Sequence, residues 1–160
     1  MRRKSLSNTS CPIGRALDEI GDWWTLLIVR EAFHGARRFR DFEQRLAISK
    51  NILTIRLNLL LDARIFESRA GAEGRTHKEY HLTHKGTRLW LVLVALRQWG
   101  EDHLFEDGET LGVLLDHSGR PVQRLQVLSE DGVALAQPDT EVKFEVRGDA
   151  VTPSSSSPAV

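Results

Sequence analysis

The side chains able to do chemistry fall into a few groups, and most of the groups exclude something. Cys11 is the single cysteine, so neither an internal disulfide nor a multi-cysteine zinc site is available. His77, His81 and His84 are close in sequence, but His77 and His81 would share a strand face while His84 begins a helix. No acidic or sulfur ligand accompanies them in a recognisable pattern, so no metal is expected. There is no Ser/His/Asp order, phosphate loop or nucleotide fingerprint, so neither catalysis nor a cofactor is expected. What remains is a polar set, Ser49, Lys50, Asn51, Thr54 and Asn58, threaded through a stripe of Leu53, Leu57 and Leu60, with Arg56 flanking the stripe. Two cationic stretches accompany it: Arg37, Arg38 and Arg40 before it, and Arg69, Arg75 and Lys78 after it.

The elements that must position these groups can be read from hydrophobic period. Cys11-Pro12 puts a proline in the first turn of a helix, where its missing N–H costs nothing, and Ile13, Leu17 and Ile20 share one face of that helix. After Gly21-Asp22 comes a nearly all-apolar helix, about Trp23 to Phe33, which is expected at the centre of the core. A short helix from Phe39 to Leu46 buries Phe39, Phe42 and Leu46. A turn at Ala47-Ile48 leads to Ser49, a good N-cap for a helix from Lys50 to about Arg64. The period then changes from 3.6 to 2: 65–69 and 78–83 read as strands of a hairpin around Gly71 and Gly74. Thr83 is expected to cap one long last helix, about His84 to Leu104, and short strands are expected at 111–115, 122–128 and 143–146.

This order predicts a mainly α fold with a β-hairpin wing, a winged helix-turn-helix, plus a small β-rich C-terminal extension. The expected organisation is a loose segment 1–10, the winged domain at 11–104, an acidic extension at 105–151 and a polar tail at 152–160 with nothing to bury. Of the 160 residues, 41% are hydrophobic and 28% charged, enough apolar material for one real core. The longest apolar run, Leu89 to Leu96, is far shorter than the roughly 20 residues of a membrane span. No apolar stretch of signal-peptide type follows the basic start, so a cytoplasmic protein is the expectation. The net charge of zero conceals a division: residues 1–104 carry 18 Lys/Arg against 12 Asp/Glu, residues 105–160 only 4 against 10. A basic first part and an acidic last part suit a polyanionic partner for the first part alone.

The arrangement fits double-stranded DNA. A helix entering the major groove needs small polar donors and acceptors on its outer side and an apolar stripe behind them. A wing lying on the backbone or minor groove must be thin and cationic. Arg38, Ser49, Lys50, Asn51, Thr54, Arg56, Asn58, Arg69, Arg75 and Lys78 are the candidate contacts.

Many spaced residues agree with one family at once. Cys11-Pro12, Ala16-Leu17-Asp18, the run from Ile20 to Ile28, Arg30-Glu31, Gly35, Arg38-Phe39, Ser49, Leu53-Thr54, Arg56-Leu57, Tyr80, Leu82-Thr83, Lys85-Gly86 and Trp99-Gly100 resemble the HxlR-type transcriptional regulators, a branch related to the MarR-like winged-helix proteins. The resemblance covers about residues 11–104. It implies a bacterial DNA-binding homodimer, a recognition helix over Ser49–Arg64 and Arg75 at the wing. Ile55, Leu59 and Leu61 depart from it, being more apolar than the residues usual at those places. Cys11 aligns with a cysteine that senses oxidants, aldehydes or quinones in some members, and a helix start favours the reactive thiolate. The other reading of Cys11 is a small hydrophobe beginning a helix. Residues 105–152 resemble an extra segment of some members, in which several cysteines are expected; Ser118, Leu128 and Asp131 stand near those places.

The last helix carries more apolar surface than one face needs, so a homodimer through the first and last helices is expected, with a small-molecule effector as a further candidate partner and no membrane. The alternative is a winged-helix protein-interaction module that no longer binds DNA, docking through its acidic tail.

Overall fold

The computed structural model describes residues 5–71 and 78–144. Helices α1 (Pro12–Ile20), α2 (Trp23–Phe33), α3 (Phe39–Leu46) and α4 (Lys50–Asp62) are followed by β1 (Phe66–Ala70) and β2 (Lys78–Leu82), then α5 (His84–Thr87) and α6 (Trp90–His103). The chain forms two compact units, one reaching Leu125 and one from Gln126 onwards.

Local chemistry accounts for the helix starts. Cys11 Sγ accepts from the Gly14 N–H and Pro12 occupies the first turn of α1. Asp22 Oδ1 accepts from Trp24 and Thr25 N–H at the start of α2. Asp41 Oδ2 accepts from Arg37 and Arg38 N–H at 2.9 and 2.8 Å, fixing the entry to α3. Burial raises the Asp41 carboxyl, but those amide hydrogen bonds and the Arg45 and Arg38 charges outweigh it and hold its pKa below the ordinary value. Ser49 Oγ caps α4 through the Ile52 N–H, as its sequence position predicts. The turn between α3 and α4 is made by Ala47, which adopts φ 48°, the left-handed region that favours glycine.

The core is built as the periodicity predicts. Ile28, Val29 and Ala32 of α2, Phe42 of α3, and Leu53, Leu57 and Leu60 of α4 are fully buried together with Ile65 and Phe66. Phe39 and Leu46 pack against this core half-buried. Phe42, Phe66 and Tyr80 close it with ring centroids 6.1 to 6.4 Å apart, tying α3 to both strands of the hairpin. β1 and β2 pair antiparallel with Phe66 opposite Leu82 and Ala70 opposite Lys78.

Two expectations need correcting. The single long helix from His84 is instead α5 and α6, separated at Arg88-Leu89. Gly86 is pressed so close to the Ile65 carbonyl that a Cβ there would meet its oxygen at 2.2 Å. The Leu89 N–H then bonds the Gly86 carbonyl, an i to i+3 bond that tightens the turn before α6 begins. Docking of a backbone on a strand end interrupts a helix whose side-chain pattern is continuous.

The second correction lies after α6. The strand expected at 111–115 is a single bridge, Leu115 to Pro121. Of 122–128 only Val127–Leu128 (β3) is strand, pairing with Ala134–Leu135 (β4), which periodicity did not single out. Lys143 and Phe144 carry no regular structure, and 145–146 lie outside the described residues. In the first unit, residues 112–125 are held to α6 by polar contacts. Gln98 bonds the backbone of Gln123 and Leu125, Arg97 donates to the Gly112 carbonyl, and Arg124 pairs with Glu101 and Asp102. A segment held by polar contacts to backbone and by ion pairs leaves no hydrophobic pattern to read.

Candidate nucleic-acid interface

The outward side of α4 is set by what its inward side buries. With Leu53, Leu57 and Leu60 in the core, the 100° step per residue turns Asn51, Ile55, Asn58 and Leu59 to solvent. Lys50 and Thr54 are also exposed and flank this face. Lys50 Nζ is 3.9 Å from Glu43 of α3, a distant and solvated pair. The Thr54 hydroxyl donates to the Lys50 carbonyl at 2.8 Å, so its proton is engaged within the helix while the oxygen can still accept.

Arg56 is placed differently. Its guanidinium is 2.8 Å from Asp22 Oδ2, with both side chains about three-quarters covered. Because Asp22 also caps α2, this ion pair fastens the start of α2 to the middle of α4. No sequence pattern announces it, since the partners are far apart in the chain and meet only when the helices pack.

The cations before α3 divide in the same way. Arg37 donates to the carbonyls of Ala32 and Ala36 at 2.6 and 2.8 Å, closing the end of α2. Arg38 forms an antiparallel bridge with Glu79 of β2, and its Nε lies 3.7 Å from the Glu79 carboxylate. The Tyr80 N–H bonds the Arg37 carbonyl at 2.8 Å, so residues 37–38 extend the hairpin by a short third segment. Residue type marks this stretch as cationic, with Arg38 a candidate DNA contact, and does not mark it as a strand. Ala36 beside it is fully buried, so the segment is part of the core.

On the hairpin, Arg69 bonds Glu67 of its own strand, and Lys78 Nζ lies 5.1 Å from the centroid of the Tyr80 ring. Gly74, Arg75 and His77 fall outside the described residues. His81 Nε2 is 3.1 Å from Glu79. Among the described residues no group of three His, Cys, Asp or Glu is placed to hold a metal ion. Cys11 is exposed at the start of α1.

A second surface is apolar. α2 and α6, with residues 105–112, line an open groove of about 720 Å³ that includes Trp23, Leu26, Trp90, Leu93, Leu96 and Leu104. Leu96 is 50% and Trp99 57% exposed, although both are large apolar side chains in mid-helix. Among the described residues no helix is long and apolar enough to cross a membrane.

An uncharacterised HTH-type transcriptional regulator of Mycobacterium tuberculosis is 40% identical over 92 residues, 58% of each chain, so this chain spans less than two thirds of that relative. The crystal structure of PA1607, assigned as a transcription factor, matches with a TM-score of 0.85 and 45% identity over 89% of this chain and all of that one. The reduced form of the redox regulator HypR matches with a TM-score of 0.54 and 26% identity over 59% of this chain and 94% of that one. Residues 19–107, from the end of α1 through α2, α3, α4, the hairpin, α5 and α6, match the HxlR-like helix-turn-helix, and the chain belongs to that family of transcriptional regulators.

Proposed function

We propose that this protein regulates transcription by binding double-stranded DNA as a homodimer, with α4 in the major groove and the β1–β2 hairpin against the backbone. The observation that carries this reading is α4 itself: a leucine stripe sunk in the core and Asn51, Thr54 and Asn58 on its exposed sides. Asn51, Thr54 and Asn58 reach base edges, while Arg38, Ser49, Lys50, Arg69 and Lys78, with Arg75 from its place in the sequence, contact phosphate or the minor groove. Arg56, which the sequence offers as a further contact, serves by holding α4 to α2 through Asp22. The second copy covers the apolar sides of α1 and α6, where Ile13, Leu96 and Trp99 are exposed. Two-fold symmetry then asks for a pseudo-palindrome with half-sites about 10 bp apart.

Binding to the duplex upstream of the protein's own coding region, titrated against salt beside random duplex, tests this. Lys78→Ala should weaken cognate and random DNA alike and flatten the salt slope by about two units, since each substitution is made twice in a dimer. Thr54→Ala should cost about 1–3 kcal/mol on the cognate duplex alone. No preference over random duplex at any salt concentration overturns the reading and leaves an interaction module.

A second reading concerns control. The exposed Cys11 thiol at the start of α1 accepts from the Gly14 N–H at 3.4 Å, and α1 belongs to the proposed dimer surface. Together with the likeness to HypR, this supports thiol sensing. With no second cysteine in the chain, oxidation would join Cys11 of the two copies or attach a small thiol. Mild oxidant should weaken DNA binding by the wild type and leave Cys11→Ser unaffected; equal responses would leave Cys11 only its capping role.

A further inference from the structure

The middle of the outward face of α4 is apolar where the free chain gains nothing from it. Ile55 is 57% exposed, Leu59 49% and Ile52 39%. A β-branched residue at an exposed helix position is a poorer helix former than lysine, glutamate or alanine, and it leaves hydrocarbon in water. Ile55 is not a stray edge of the core: the buried stripe of Leu53, Leu57 and Leu60 lies on the opposite side of the helix. Nor does it belong to the groove between α2 and α6, which no α4 residue lines. It stands one turn after Asn51 and three residues before Asn58, so two carboxamides bracket it on the same face.

A branched hydrocarbon set between two carboxamides suits a surface on which methyl groups alternate with amide-like edges. The major-groove edge of A·T pairs is such a surface: adenine offers N7 and N6–H₂ to a carboxamide, and thymine offers its C5-methyl to an apolar side chain. Lys50 at the start of the helix and the cationic residues Arg69 and Lys78 of the hairpin suit the flanking phosphates. A protein partner would leave both carboxamides facing an apolar contact of one or two side chains, at a cost.

From this face we infer that Ile55 is a specificity-determining residue that packs against a thymine methyl in each half-site. The inference rests on the DNA-binding reading above and deepens it. Asn51 or Asn58 then takes the adenine edge of an adjacent pair, so the preferred half-site contains an A·T step under the middle of α4. Removing one buried methyl should weaken binding about fourfold per half-site, and about fifteenfold when both half-sites are changed.

The test begins by selecting preferred duplexes from a random-sequence pool with the full chain. Each thymine of the selected site is then replaced by deoxyuridine, which removes the C5-methyl and keeps every hydrogen bond. One thymine per half-site should show the fourfold loss with the wild type, and Ile55→Ala should bind the thymine and deoxyuridine forms equally. Ile55→Val, which keeps two methyls, should retain most of the discrimination; Ile55→Ser, which has no methyl, covers the case in which the alanine variant does not fold, and should lose most of it. If no sequence is enriched, the DNA-binding reading itself fails. If a sequence is enriched but no thymine is sensitive, or the sensitivity survives Ile55→Ala and Ile55→Ser, DNA binding stands and the role of Ile55 is overturned.

Discussion

Helices α4 and α6 are nearly equal in length and both rich in leucine, yet they dispose of their apolar surface in opposite ways. α4 buries Leu53, Leu57 and Leu60 completely inside its own chain. α6 buries only Val94 and leaves Trp90, Leu91, Val92, Leu96 and Trp99 exposed. The energetic consequences differ accordingly. Apolar area lost from water within one chain stabilises the monomer at any concentration, whereas the area on α6 contributes only when something covers it. α4 is positioned by folding, and α6, in the proposed dimer, is satisfied by association.

The largest effect should come from breaking the α6 side of this comparison. Leu96→Glu places a charge in the exposed groove twice per dimer and removes burial worth about 1.5–3 kcal/mol per copy. Sedimentation should find a folded monomer at concentrations where the wild type is paired. A dimer of unchanged affinity would show that α6 is not the contact.

The α4 side is next. Leu57→Ala opens a hole in a fully packed site and should cost about 2–5 kcal/mol, read as a lower denaturant midpoint, with sequence-selective binding lost as the helix loosens. If stability falls by well under 1 kcal/mol, the stripe is not the anchor of α4.

A smaller change should sharpen the comparison in the opposite direction. Ala47 makes the α3–α4 turn with φ 48°, so Ala47→Gly removes strain at the base of α4. The net gain should be about 0.5–1 kcal/mol in thermal or chemical unfolding, with no effect on association through α6. A loss of stability would mean that Ala47 contributes more through packing than its backbone costs.

The smallest effect is electrostatic and confined to acid. The pKa of Asp41 in the folded chain lies below its ordinary value of 3.8, so its contribution is present above pH 3.8 and is lost as pH falls through the depressed value. The stability difference between wild type and Asp41→Asn should therefore be constant near neutrality and shrink below about pH 4. A difference that stays level down to pH 2 would exclude this origin.

How much of this was legible beforehand follows from where each signal lives. The inward stripe of α4 and its Ser49 cap could be read directly, because both depend on spacing within one helix. The same holds for the β1–β2 pairing, where alternation and a glycine-containing loop are local. The Arg56–Asp22 pair, the third segment at Arg37-Arg38 and the break before α6 could not be read this way. Each depends on which backbone or charge is brought alongside from another part of the chain.

The arginines show the division most clearly. Residue type placed a cluster of positive charge before α3, and nothing in its spacing distinguishes Arg37 from Arg38 or Arg40. Packing sent Arg37 to the carbonyls of Ala32 and Ala36 and set Arg38 beside Glu79. Residue pattern alone carried the order from α1 to β2, the buried stripe of α4 and the family resemblance, since periodicity and capping act over a few residues and many spaced positions agree at once. Packing decided which charges are engaged within the fold, and it leaves Ile55 and Leu59 in the open while Leu53, Leu57 and Leu60 are covered. An apolar residue type specifies a preference for burial, but whether the chain supplies a covering neighbour depends on how whole helices pack.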